Sequence, residues 1–101
     1  MSKTGDQTGS GAQWIVREMT VTNPRGFHVR PASMVAKIAF NSESDIMIEK
    51  DGTKVSAKSV MGLLSLEAGH GSRIRVTAEG PDAAKAVAKI EEVVSSRLEE
   101  L

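Results

Sequence analysis

The chain has 101 residues, 13 basic against 13 acidic side chains, 40% hydrophobic content and no cysteine. A chain of that length fits one domain that buries roughly 60–70% of its unfolded surface without metal or disulfide staples. Disulfides, thiolate nucleophiles and Cys-ligated metals are excluded, zero net charge argues against a nucleic-acid binder, and no apolar run approaches the ~20 residues of a membrane-inserted helix.

Residues 1–13 are rich in Gly, Ser and Thr and lack the apolar block of a signal peptide. They are expected to form a flexible N-terminal tail on a cytoplasmic protein, with residues 14–101 as the single folded domain. The only aromatics are Trp14, Phe27 and Phe40, so the core is expected to be aliphatic and Met-rich.

Residues 14–21 alternate, with Ile15, Met19 and Val21 on one side and Arg17 as the exception, which predicts a half-buried strand. Asn23-Pro24-Arg25-Gly26 is a loop by its turn residues. Residues 29–40 switch to helical spacing, with Met34, Val35, Ile38 and Ala39 expected on the buried face. A short strand over 45–50 runs into Asp51-Gly52, a hairpin turn because both positions accept positive φ, and returns over 53–57. Ser59 is placed to cap a short helix over 60–66, weakened by Gly62. Gly69 and Gly71 bracket a turn, and residues 73–78 alternate again, with Ile74, Val76 and Ala78 inward. Gly80-Pro81-Asp82 opens a last helix whose stripe is Ala83, Ala86/Val87, Ile90, Val93/Val94 and Leu98. The order βαββαβα with one-sided elements predicts a two-layer α+β fold: an antiparallel sheet with helices on one face.

The segment of chemical interest is Gly26-Phe27-His28-Val29-Arg30-Pro31-Ala32-Ser33. It puts His28 at the N-cap of the first long helix, with Val29, Arg30 and Pro31 as the opening turn. The amides of Val29 and Arg30 have no intrahelical acceptor, and Pro31 is tolerated because an amide there would be unpaired anyway. One tension remains: a residue before proline is pushed away from helical angles, so Arg30 is expected to be distorted or the helix to start later. An imidazole is a nucleophile near neutral pH. The helix start offers donors and partial positive charge, and the guanidinium offers a permanent cation with a fork suited to phosphate oxygens. Together they describe a temporary holder for a phosphoryl group, where a lone histidine would be read as a cap or surface residue.

That string and the element order resemble the HPr family, histidine phosphocarriers of the bacterial phosphoenolpyruvate-dependent sugar phosphotransferase system. The resemblance runs over residues 15–98 and includes a second motif, Lys58-Ser59-Val60-Met61-Gly62-Leu63-Leu64-Ser65-Leu66. It implies an open-faced β-sandwich, with a four-stranded antiparallel sheet and three helices on one face. It implies that His28 accepts a phosphoryl group from enzyme I through Nδ1 and passes it to enzyme IIA-type domains, with Arg30 assisting and Val29 and Pro31 supporting. It also implies that Ser59 is modified by an HPr kinase/phosphorylase. Phe27 departs from the family's usual Leu or Ile, and Val29 from its usual Ala. A β-branched Val29 is expected to crowd the phosphoryl group.

Val60, Met61 and Leu64 project from a helix too short to bury every side and are expected to dock partners. His70, between two glycines, is expected to be an exposed turn residue. No metal-ligand pattern accompanies the histidines and no phosphate-binding Gly-rich loop is present, so neither metal nor cofactor is expected. The chain then acts as a monomeric stoichiometric carrier rather than a self-sufficient enzyme. The alternative is a regulatory protein of the same fold, in the nitrogen-related branch or in catabolite control, whose phosphorylation state governs partner binding. An RNA platform lacks stacking aromatics on its central strands, and a hydrolase lacks an identifiable triad.

Overall fold

The computed structural model describes residues 13–95. Its elements are β1 (Gln13–Thr20), α1 (Val29–Phe40), β2 (Asp45–Lys50), β3 (Thr53–Ser56), α2 (Val60–Ser65), β4 (Arg73–Gly80) and α3 (Ala83–Val94). The strands form one four-stranded antiparallel sheet in the order β1-β4-β2-β3, so the expected architecture is the observed one. Residues 1–12 of the expected tail and Leu98 of the expected stripe lie outside the described residues. Gln13 is not part of a tail: it opens β1, and its side-chain carbonyl accepts from the Ala84 amide at the start of α3 (2.9 Å).

Period-two alternation decides which sheet face meets the helices. Met19, Ile46, Ile48, Ile74, Val76 and Ala78 are buried on that face. The predicted hairpin is present, with φ of 52° at Asp51 and 86° at Gly52. Arg17, the exception to the alternation, points to the helix side and pairs with Glu91 of α3 at 2.9 Å. On the open face Glu18 sits opposite Arg75 in the β1–β4 register and accepts from both Arg75 and Arg73. The Arg75 hydrogen bond, then the charges of Arg73 and Arg75, hold its carboxyl below the usual range.

The core differs from the expected one in two respects. It is built from Ala, Val, Ile and Leu, with Met19 the buried methionine among the described residues; Met61 is 78% exposed. Met34 is exposed while Ala32, Val35, Ala36 and Ala39 are buried. The inward arc of α1 is thus centred on its alanines, whose small side chains let the helix sit close to its neighbours, and Met34 falls on the rim. Of the aromatics only Phe27 is buried; Trp14 and Phe40 are exposed.

Asp82 does not cap its own helix by its side chain. Its carboxylate instead accepts from Ser44 Oγ at 2.6 Å and from the Glu43 amide at 3.1 and 3.2 Å, tying the start of α3 to the loop after α1. Those bonds, that from Ser44 foremost, hold the carboxyl below its ordinary 3.8. A carboxylate depressed in the folded state stabilises the fold above its unfolded pKa, and the stabilisation is lost as pH falls through the folded value. Asp82→Asn should therefore lower the Tm at pH 7 and show a shallower fall of Tm below pH 3.8 than the wild type. Equal Tm values at pH 7 would show that the junction contributes nothing.

Glu67, the residue after the Leu66 C-cap of α2, holds φ of 52° and donates its amide to the Leu64 carbonyl at 3.1 Å. That left-handed position after a helix suits glycine far better than a side chain bearing Cβ. Glu67→Gly should stabilise the fold by up to about 1 kcal/mol, read as a higher urea midpoint at unchanged m-value.

Candidate functional site

His28 sits where the loop after β1 turns into α1. The loop is held by its own turn residues: Asn23 Oδ1 accepts from the Arg25 amide at 2.9 Å and the Asn23 carbonyl from the Gly26 amide at 2.8 Å. It is also clamped to the turn between α2 and β4, because the Phe27 amide donates to the Ala68 carbonyl at 2.7 Å. Gly26 has φ of +74°, and a Cβ there would lie 2.8 Å from Gly69 Cα and 2.9 Å from the Ala68 carbonyl oxygen. The close approach of the two loops therefore requires glycine at Gly26. Phe27, buried to 5% exposure, anchors the residue before the histidine in the core. The larger ring at this position is accommodated by burial.

His28 is the N-cap of α1, with extended φ/ψ of −93° and −167°, and its carbonyl accepts the first helical bond from the Ala32 amide at 3.0 Å. Arg30 is helical despite the proline that follows, so the helix starts at Val29 and not later. Pro31 is buried, which pins the first turn against the body of the protein. The imidazole makes no cap hydrogen bond. The opening turn thus keeps its Val29 and Arg30 amides without a side-chain acceptor among the described residues. The other helices differ: Ser59 Oγ accepts from the Gly62 amide at 2.9 Å in α2, and Gln13 serves Ala84 in α3.

The ring is half-buried, with Nε2 buried and lacking a hydrogen-bond partner, a burial Nδ1 does not share. Val29 is 60% exposed, so its isopropyl group stands beside the histidine and not in the core. Among the described arginines, Arg17, Arg73 and Arg75 are committed to carboxylates. Arg30 and Arg25 are exposed and in no ion pair, and they lie two residues after and three before His28. Arg25 was not singled out by its sequence context, where it reads as a turn residue. The signal that finds it is the absence of an acidic partner.

Ser59 is exposed and caps α2 as expected. In the same helix Met61 is exposed, Val60 and Leu64 are half-buried, and Leu63 is fully buried. The helix thus splits its apolar residues between core and surface. α1 and α2 pack against each other, which brings the helix that Ser59 caps against the helix that His28 starts. His70 is exposed in its turn, away from any group of metal-ligating side chains among the described residues. None of the described helices is long and apolar enough to cross a membrane.

A family model described as "PTS HPr component phosphorylation site" matches residues 15–96, nearly the stretch of 15–98 over which the sequence resembles that family. The phosphocarrier protein HPr of Treponema pallidum (strain Nichols) is 37% identical over 86 residues, which is 85% of this chain and 98% of that protein. The phosphocarrier protein HPr from Bacillus anthracis str. Ames matches with a TM-score of 0.76 and 40% identity, over 80% of this chain and 96% of that one. HPr-C-His from Thermoanaerobacter tengcongensis matches with a TM-score of 0.77 and 34% identity, over 81% and 92%. Shared sequence and shared fold over almost the whole length place this chain in the HPr family of phosphocarriers of the phosphotransferase system.

Proposed function

We propose that the chain is a relay in which His28 takes a phosphoryl group from enzyme I and yields it to an enzyme IIA-type domain. The observation that carries this reading is the uncapped start of α1: an imidazole beside two free amides and an unpaired guanidinium. Attack requires a lone pair on one ring nitrogen and the ring proton on the other. Nδ1 is the nucleophile on this reading, because Nε2 is buried. The Nδ1–P bond forms as the donor's bond to phosphorus breaks, and the reverse exchange passes the group on.

The amides of Val29 and Arg30 and the Arg30 guanidinium stabilise the three phosphoryl oxygens. Arg25, exposed and three residues before His28, is a second unpaired cation on the same loop. Two amides and solvated cations hold the group less tightly than a closed, desolvated cradle, and a carrier must release what it accepts. The chain on this reading is a stoichiometric carrier without cofactor, working in the cytoplasm, and catalyses no net reaction alone.

Incubation with phosphoenolpyruvate and enzyme I should load one acid-labile phosphoryl group, absent from His28→Ala. Arg30→Ala should slow transfer about 10- to 100-fold with the fold unchanged, the loss expected for one charge-assisted contact. Transfer at full rate in Arg30→Ala would remove the assisting role.

Ser59 is the site for regulatory phosphorylation by a kinase of the HPr kinase/phosphorylase type. A phosphate there meets the positive end of α2, so the fold tolerates it, but it places a dianion beside Val60, Met61 and Leu64. If those residues dock enzyme I, Ser59→Asp should slow loading from enzyme I at unchanged Tm. Equal loading rates for Ser59→Asp and wild type would separate Ser59 from the docking surface.

A further inference from the structure

A groove of about 470 Å³ lies between α1 and α3, at the opposite end of α1 from His28. Three lysines line it: Lys37 from α1, and Lys85 and Lys89 from α3. Met34 and Ile38 give it an apolar wall. The described lysines are Lys37, Lys50, Lys54, Lys58, Lys85 and Lys89, of which only Lys50 is in an ion pair. Three of the five unpaired lysines therefore converge on one groove.

The carboxylate in the lining, Asp82, is already engaged by Ser44 and the Glu43 amide. Set against three lysines, it leaves two positive charges in surplus. Lys85 and Lys89 stand four apart on one helix, a spacing at which like charges repel. Lys85 also lies in the first turn of α3, where the helix dipole is positive and favours anions over cations. The free protein thus carries an arrangement that a bound anion would relieve.

We propose that this groove binds a small organic anion with at least two negative charges and an apolar portion. Its volume falls in the range of small-molecule sites, about 300–1,000 Å³. Lysines act as point charges without the planar fork of arginine, so they accept a phosphate ester or a dicarboxylate alike. The negative groups meet Lys37, Lys85 and Lys89, and the apolar portion covers Met34 and Ile38, the former on the rim of α1 and not in its core. The site is separate from His28 and does not rest on the phosphocarrier reading.

The test is an amide-resolved NMR titration of the full chain with phenyl phosphate, phthalate, inorganic phosphate and benzoate. Phenyl phosphate or phthalate, or both, should shift the amides of Lys37, Ile38, Lys85 and Lys89 saturably, with a Kd on the order of 1 mM or below. The comparison of the two assigns the anionic group. Inorganic phosphate and benzoate, lacking the apolar portion or the second charge, should bind more weakly. Lys85→Gln/Lys89→Gln should weaken the aryl dianions about tenfold with spectral dispersion retained, and Arg30→Ala should leave them unchanged. No saturable shift at those amides, equal binding by the double variant, or shifts confined to Val29 and Arg30 would each overturn the proposal.

Discussion

The site depends on one loop-on-loop contact: the Phe27 amide on the Ala68 carbonyl, with Gly26 laid directly against Gly69. It fixes where the chain enters α1, because the buried Phe27 ring and the buried Pro31 hold the two sides of the N-cap residue. Two further backbone bonds between the same segments, Val21 to Ser72 and Gly71 to Val21, keep the loops in register. His28 is left between fixed points, with its ring free of capping duty. A Cβ at Gly26 would push the loops apart by contact with backbone, which cannot yield as a side chain does, and would displace the histidine from its donors.

The treatment of helix starts separates a structural end from a chemical one. In α2 a serine closes the first turn, and in α3 a glutamine from the neighbouring strand does so. In α1 neither device is used, and proline removes one donor without supplying an acceptor. Free amides at a helix start have an energetic cost only if they are buried away from water. Val29 and Arg30 are exposed, so water can serve their amides. The same logic divides the arginines: those on the sheet are consumed by Glu18 and Glu91, and those flanking His28 are not.

Much of this was legible in the sequence because the periods are clean. The alternation of residues 73–78, the 3.6-residue stripe of α3 and the Asp51-Gly52 turn each point to one local structure. His28 was legible because glycine, histidine, arginine and proline occur together at a helix start. What escaped was set by tertiary packing. Methionine is apolar, so composition assigns it to the core, yet alanines fill the α1 interface and leave Met34 at a rim. The later helix start that the residue before a proline invites did not occur: α1 begins at Val29, with Arg30 and the buried Pro31 in its first turn. Arg25 and the lysine groove are defined by missing partners across distant segments, which no local pattern encodes.

Ser59 and His28 start helices that pack on one another, but their chemistry differs in direction. The Ser59 oxygen already accepts an amide, so on the proposed reading a phosphate on it would add acceptors to an end that favours them. The His28 imidazole accepts nothing from its helix, so on the proposed reading a phosphoryl group on it brings in new contacts without replacing old ones. On the proposed reading the first arrangement suits a mark that persists and the second a load that moves on. Val29 follows His28 and Met61 lies two residues after Ser59; both are exposed apolar side chains whose contacts a nearby dianion would penalise. On that same reading, coupling between the two sites needs no conformational change: charge at Ser59 would act on the partner surface proposed to close over His28.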